Sequence, residues 1–212
     1  MNADFPCIRG VLPVGTEKSI DDGHKYGCGL QYIEGDPIVY SFGSNKSQEF
    51  ELGMLYIRPD SKVFSFEIDE KAMVSTETSH SSVKNFNIGL GYNKDNLKMK
   101  TLKEIMYMFN HTYIDVLKLD IEGGEYSFFN EEASLLNNVG QLMVEIHNFG
   151  LEKKLKKKNI TKYLRMIEMQ GLRMFHKENN VYAGGCCVEL SFVRLNWEKW
   201  NKKLKYEIKV RK

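Results

Sequence analysis

The stretch Ile114–Glu125 reads IDVLKLDIEGGE, and the fold follows from it. Ile114, Val116, Leu117, Leu119 and Ile121 are apolar, first in alternation and then nearly continuous. That is the pattern of a strand buried on both faces. The segment closes on Asp120, Glu122, the pair Gly123-Gly124 and Glu125. An apolar strand that ends in carboxylates and a glycine turn puts charge at the carboxyl edge of a sheet. In open α/β sheets that edge is where ligands sit. Taken alone, the string also reads as a buried strand with a solvated acidic turn.

Upstream, Ile38 to Gly43 is a second apolar strand, turning at Gly43-Ser44-Asn45-Lys46-Ser47. A helix follows to about Ile57, with Phe50, Met54 and Ile57 on one face, and Arg58-Pro59 ends it. Such a βα unit presents backbone N–H groups to a polar or anionic ligand. The turn has one glycine where a GxGxxG fingerprint has three, which disfavours the pyrophosphate of NAD or FAD and suits a cofactor without phosphates. The next strand, Lys62 to Ile68, ends in Glu67. A carboxylate at that spacing in a βαβ unit accepts hydrogen bonds from ribose hydroxyls. Ile68 would lie against the adenine edge. The competing reading of Glu67 is a strand-end glutamate in solvent.

Val83 to Gly91 reads as a third strand and its turn. Thr101 and Glu104 form a capping box that opens a helix, with Leu102, Ile105, Met106 and Phe109 on its inner face. His111 follows as a solvated loop residue. After the opening stretch, Ser127 to Asn138 reads as a helix with Phe128, Leu135 and Leu136 inward. Gln141 to His147 is a fifth strand, ending in Glu145, His147 and Asn148. Leu151 to Gln170 is a helix, basic outside and stopped by Gly171. Leu172 to Lys177 and Cys187 to Leu195 are the last two strands. The loop at Tyr182–Gly185 joins them, so they pair antiparallel.

The chain has 212 residues, 42% of them hydrophobic and 27% charged, which fits one domain with a substantial core. It divides into an N-terminal arm (1–31), a main domain (32–196) and a basic tail (197–212). A net charge of +2 gives no global nucleic-acid signature, and nucleic acid is not an expected partner. The basic runs, Leu151–Lys158 and Lys199–Lys212, read as solvated faces. No apolar run reaches the ~18 residues of a membrane span, and no signal-peptide pattern opens the chain. A soluble, cytoplasmic protein is the default expectation, with a secretory lumen open if the chain is trimmed. Cys7 and Cys28 bracket a segment rich in glycine and aspartate and can pair or stay free. Cys186 and Cys187 are adjacent and read as poor partners for each other. No metal-ligand spacing such as CxxC occurs. The Asn-x-Ser/Thr triplets at Asn45, Asn110 and Asn159 do not settle the compartment. The sequence says nothing about oligomeric state.

The opening stretch resembles the signature of FkbM-like methyltransferases, roughly LKxDIEGxE. VYSFGSNKSQEFE (Val39–Glu51) and QLMVEIHNFG (Gln141–Gly150) extend the likeness, which covers roughly Cys7 to Leu195 and is strongest to the animal methyltransferase-like branch. Gly43 and Asn45 keep two positions of the family's GxNxG turn. Phe66-Glu67 matches its FEP or FDP, with Ile68 in place of proline. Asp21–Cys28 (DDGHKYGC) is similar to a D-G-G-x-x-x-C segment that caps the cofactor region; an arm that only packs is the other reading. The resemblance implies an α/β, Rossmann-like class I methyltransferase fold. Its sheet is mostly parallel and seven-stranded, with one antiparallel strand and helices on both faces. It also implies S-adenosyl-L-methionine as cofactor, held by Gly43, Ser44, Asn45, Glu67, Ile68 and Asp120.

Methyl transfer from a sulfonium needs alignment and exclusion of water, and an oxygen or nitrogen acceptor must also lose a proton. Asp120, Glu122 and His147 stand at neighbouring strand ends and are the candidate catalytic groups. A neutral imidazole has a suitable pKa for a base. The alternative for His147 is to orient Asp120 or Glu145, and Asp120 can instead attract the sulfonium and amino group. A carboxylate–histidine pair can also hold a divalent metal, but the ligand set is too thin to expect one. The leading reading is O-methylation of a small molecule or sugar. A methyltransferase-fold binding module without turnover is the alternative. A nucleotide-dependent oxidoreductase is third, because the triple-glycine turn is missing.

Overall fold

A computed structural model describes residues 5–15, 25–75, 77–93, 95–147, 153–180 and 187–196; the side chains of 153–159 stand outside that description. The expected tail (197–212), the Tyr182–Gly185 turn, Asn148, and Leu151 at the start of the long basic helix lie outside the described residues.

Strands β1 (Val11–Val14) and β2 (Lys25–Cys28) form an antiparallel pair. There follow β3 (Ile38–Phe42), α1 (Glu49–Ile57), β4 (Lys62–Phe66), β5 (Val83–Phe86), β6 (Gly89–Leu90), β7 (Met99–Lys100) and α2 (Leu102–Met108). The second half holds β8 (Ile114–Leu119), α3 (Glu125–Glu132), β9 (Val139–His147), α4 (Lys153–Met169), β10 (Leu172–Asn180) and β11 (Cys187–Arg194). Seven strands make one sheet in the order β10-β11-β9-β8-β3-β4-β5. β11 runs antiparallel to both of its neighbours, and the other pairs are parallel. This is the expected Rossmann-like arrangement. The chain winds outward from β3 through β4 and β5, then restarts at β8 and winds the other way. The crevice between β3 and β8 is therefore the topological switch point.

Every residue of β3, β8 and β9 is buried, as continuous apolar runs require. On one face Tyr40, Phe42, Leu117 and Leu119 pack with Leu102 and Ile105 of α2, Phe128 and Phe129 of α3, and Leu164 and Ile167 of α4. On the other face Val39, Val63 and Val116 pack with Phe50 and Met54 of α1 and with Val14 from the N-terminal pair. Each such side chain fully removed from water contributes roughly 1.5–3 kcal/mol before conformational entropy is subtracted.

Thr101 and Glu104 form the expected capping box. Buried Glu132 adds a second cap, accepting hydrogen bonds from the N–H groups of Leu102 and Lys103. Several boundaries differ from the sequence reading. β4 stops at Phe66, so Glu67 and Ile68 belong to the turn. The expected third strand splits: β5 stays in the sheet, while β6 leaves it to pair with β7. The expected helix from Ser127 to Asn138 begins at Glu125 and tightens at Ala133 into a 3-10 turn. There the Leu136 carbonyl accepts a hydrogen bond from Arg194 of β11, which also binds the Val139 carbonyl. β10 extends past Lys177 to Asn180 because it pairs with β11 along that whole length. His111 is not a solvated loop residue. It is half-buried against Phe64 and its Nδ1 lies 2.7 Å from the Tyr40 hydroxyl.

The N-terminal segment is fastened rather than loose. Cys7 and Cys28 form a disulfide. The Gln141 side chain clamps Cys28 from β9, accepting from its N–H at 2.8 Å and donating to its carbonyl at 2.6 Å.

Candidate active site

A cavity of about 790 Å³ opens at the carboxyl edge of the sheet. It is lined by Gly43, Ser44, Asn45, Glu67, Ile68, Asp120, Glu122 and His147, so the tertiary fold brings every candidate site residue together.

On the β3–β4 side the turn after β3 is set by Gly43. Its φ is +84°, and a Cβ there would lie 1.6 Å from the Asp120 carbonyl oxygen, so both backbone conformation and space require glycine. Asn45 and Lys46 also take left-handed φ. The sequence reading left the N–H groups of this turn open to a ligand. The structure corrects that: Glu67 Oε2 accepts from the N–H groups of Ser44 at 3.0 Å and Asn45 at 3.2 Å. Glu67 Oε1 accepts from Asp69 N at 3.0 Å. A carboxylate has about four lone-pair sites, so Oε1 keeps capacity for a hydroxyl. Glu67 therefore shapes the turn. Phe42, Phe66, Ile68, Ile88 and Leu90 supply an apolar wall beside it.

Lys118, buried within β8, holds the turn from below. Its Nζ donates to the Gly43 carbonyl at 2.6 Å and lies 3.7 Å from Asp120 Oδ2. The sequence reading passed over it as an interior strand lysine, although a charged residue on a strand buried on both faces is itself a signal.

The β8–β9 side is a charged cluster. Lys25, from β2, is buried, with Nζ 3.2 Å from Asp120 Oδ2, 2.5 Å from Glu189 Oε1 and 3.7 Å from Glu145 Oε2. Asn180 Nδ2 donates to Glu145 Oε1 at 3.0 Å. His147, at the end of β9, directs Nδ1 at buried Glu125 (3.1 Å) and Nε2 toward Glu122 (3.5 Å), Asp120 (3.9 Å) and Glu145 (4.0 Å). Glu125 is fixed by the N–H groups of Ile121 (2.9 Å) and Gly123 (3.1 Å). The partner that orients His147 is thus Glu125, not Asp120 or Glu145.

The electrostatics follow from burial against pairing. Burial would raise the Asp120 pKa, but Lys25 and Lys118 outweigh it and hold the carboxyl well below the usual range. Burial pushes Glu189 up to about 8, with the neighbouring carboxylates of Glu145 and Asp120 adding to it against the opposing charge of Lys25. Burial would lower His147, yet the hydrogen bond and charge of Glu125, with Glu145 and Asp120, raise it to about 9. These surroundings favour the protonated ring over the neutral imidazole that a general base requires.

Cys187 is disulfide-bonded; Cys186, which reads as a poor partner for it, lies outside the described residues. Cys187 sits with Glu145 and His147 in a possible ligand group, but a disulfide sulfur offers no thiolate to a metal. Lys25, Asn180 and Glu189 were not singled out from sequence, since they come from separate segments, and Glu125, named as the end of the opening stretch, was given no role.

The cavity fits S-adenosylmethionine on its own chemistry. It joins an apolar wall and the Gly43–Ser47 turn, which carries a single glycine, to the ionised Asp120. A cofactor with an adenine, a ribose and a cationic centre matches that sequence of surfaces.

A family model described as "Methyltransferase domain" matches residues 1–194. The chain is similar to the probable methyltransferase-like protein 24 of Homo sapiens, 26% identical over 124 residues that make 50% of this chain and 34% of that protein. The Rattus norvegicus protein of the same description is 26% identical over 117 residues, 46% of this chain and 32% of its own length. The matches span about a third of these relatives' length. Among solved structures, the fold is similar to the Methanococcus jannaschii fibrillarin pre-rRNA processing protein, with a TM-score of 0.52 and 12% identity over 75% of this chain and 66% of the other. It is similar also to a putative rRNA-methylase from Clostridium thermocellum, with a TM-score of 0.52 and 10% identity over 78% and 91%. At those identities the likeness is one of fold. With a match over nearly its whole length, the chain belongs to this family of methyltransferase domains.

Proposed function

We propose that the domain transfers a methyl group to a hydroxyl oxygen of a small molecule or sugar, and that it is of the FkbM-like type on which its ordered motifs draw. The observation that carries the acceptor class is the charge of the cavity. Glu122 and Glu145 face it, and its described lysines, Lys25 and Lys118, are ion-paired to Asp120. A polyanion such as RNA needs free cationic groups along its backbone, and these walls repel one. A neutral, hydroxyl-bearing acceptor meets hydrogen-bond acceptors instead.

When bound, S-adenosylmethionine supplies a methyl group on a sulfonium, which an acceptor oxygen takes by in-line displacement as the carbon–sulfur bond breaks to a neutral thioether. Gly43, Ser44 and Asn45 hold its amino-acid end, Glu67 its ribose and Ile68 its adenine. Asp120 favours the positive charge that is lost on transfer. Asp120, Glu122 and His147 face the acceptor, and the hydroxyl proton passes to solvent water beside the exposed Glu122 carboxylate. Retention of that site also speaks against a binding module that has lost turnover.

The test is release of S-adenosylhomocysteine from purified protein offered a panel of sugars, polyols and phenols beside transcribed RNA. Turnover on hydroxyl-bearing small molecules and none on RNA is the expected outcome. Turnover on RNA alone would overturn the acceptor class. Binding of S-adenosylhomocysteine with no turnover on any member would favour the binding module.

A further inference from the structure

The turn that follows β8 does more than close a strand. Glu122 takes a left-handed φ of 54° and Gly123 follows at φ 97°, and this bend directs the Glu122 carboxylate back over the end of β9. Oxygens of Asp120 and Glu122 and a ring nitrogen of His147 lie within 4.8 Å of one another. The three come from two strand ends that are hydrogen-bonded neighbours in the sheet, so the backbone spacing that brings them together is rigid.

The surroundings divide the donor atoms cleanly. Asp120 directs Oδ2 at Lys25 and Lys118 and Oδ1 at His147. His147 gives Nδ1 to Glu125, which leaves Nε2 as the nitrogen facing Asp120 and Glu122. Glu125 is completely buried and held by two backbone N–H groups. Metal-ligating histidines almost always donate their second nitrogen to such a carboxylate, which fixes the ring and makes the ligating nitrogen more basic. An acidic turn alone would not need a buried glutamate to lock an imidazole beneath it.

We propose that Asp120 Oδ1, Glu122 Oε2 and His147 Nε2 bind a divalent cation at the acceptor end of the cavity. Two carboxylates and one imidazole are hard to borderline donors, suited to Mn²⁺, Mg²⁺ or Zn²⁺ and not to a thiophilic ion. Three protein ligands leave positions open, and on the reading that the acceptor is a hydroxyl compound, its oxygen takes one of them. A hydroxyl so bound ionises more readily, which is the service the reaction needs. His147 then acts as a ligand.

The experiment is calorimetric titration of chelator-treated, dialysed protein with Mn²⁺ alone, repeated in buffers of different ionisation enthalpy. One saturable site that releases a proton on binding is expected, because the metal displaces the proton from Nε2. Glu122→Gln changes an exposed side chain and leaves the fold intact; it should weaken Mn²⁺ by at least tenfold. Bound Mn²⁺ should also broaden the His147 imidazole resonances beyond detection. Absence of saturable binding, or equal affinity in Glu122→Gln with sharp His147 resonances, overturns the site. S-adenosylhomocysteine affinity measured on the same metal-free samples separates the two claims. Its binding without Mn²⁺ binding removes only the metal site. Mn²⁺ binding without it removes the methyltransferase reading of the cavity and leaves the metal site standing.

Discussion

The two ends of the cavity are built on different principles. The β3–β4 end is local. Gly43, Ser44, Asn45 and Glu67 lie within one βαβ unit, and Glu67 meets the N–H groups of Ser44, Asn45 and Asp69 from inside that unit, with Lys118 reaching the Gly43 carbonyl from β8. The β8–β9 end is assembled from β2, β8, α3, β9, β10 and β11, with an ammonium from the N-terminal pair placed among three carboxylates. The local end needs one correct glycine and one correct carboxylate. The composite end needs the whole fold, and losing one member leaves its partners charged and buried. Substitutions at the composite end should therefore have the larger effects, and those at the local end should act on cofactor affinity.

The largest effect is expected at His147. His147→Ala should lower turnover by about 10²-fold, since it removes the ring that positions Asp120 and Glu122 beside the acceptor, with S-adenosylhomocysteine affinity changed less than threefold by calorimetry. Wild-type turnover on the true acceptor would show that the histidine only packs.

Lys25→Ala tests the composite end as a structure. Removing one partner of a buried ion cluster costs roughly 3–5 kcal/mol. At roughly 2–4 °C per kcal/mol for a domain of this size, the melting temperature should fall by more than about 6 °C. A fall under 2 °C would mean that the carboxylates find water or protons instead. The Cys7–Cys28 disulfide, with a sequence separation of 21, should contribute about 3 kcal/mol by restricting the unfolded chain. Replacing both cysteines by serine should lower the denaturation midpoint accordingly. If Lys25 depends on that anchor, adding Lys25→Ala to the double variant should cost less than it does alone.

Glu67→Ala sharpens the local end. It removes the ribose acceptor and releases the N–H groups of Ser44 and Asn45 together, so S-adenosylhomocysteine affinity should fall at least tenfold while the melting temperature stays within about 2 °C. Glu67→Gln should fall between, since it keeps one acceptor oxygen.

The smallest effect is in pH. His147 titrates near 9 in the folded protein against about 6.5 unfolded. Its raised pKa makes a stabilising contribution that is complete below pH 6.5 and is lost as pH rises through 9. Glu189 keeps its proton to about 8 when folded, so it too loses stability as pH rises, from about 4.5 upward. Metal-free protein should melt lower at pH 9 than at pH 6.5. Glu125→Gln removes the largest opposing influence on His147 and should flatten that slope; an unchanged slope would point to another group.

Much of this was legible in the chain. Continuous apolar runs ending in Asp120 and His147 located two parallel strands and their carboxyl edge. The spacing from Gly43 to Glu67 located two residues that line one end of the cavity. Period and turn chemistry are local properties, so sequence carries them directly. Three things could not be read there. The backbone N–H groups of the Gly43 turn had their acceptor in Glu67, because both can be satisfied only after β3 and β4 pair. His147 acquired Glu125 as its partner, and with it a raised pKa, because α3 starts directly beneath the end of β9. Lys25 reached Asp120, 95 positions away, because a disulfide and the Gln141 clamp press β2 onto the sheet. Sequence by itself determined which segments form strands and which edge carries the charge. The tertiary structure decided which charges meet, because burial and pairing depend on distance in space, and a pKa is the balance of the two.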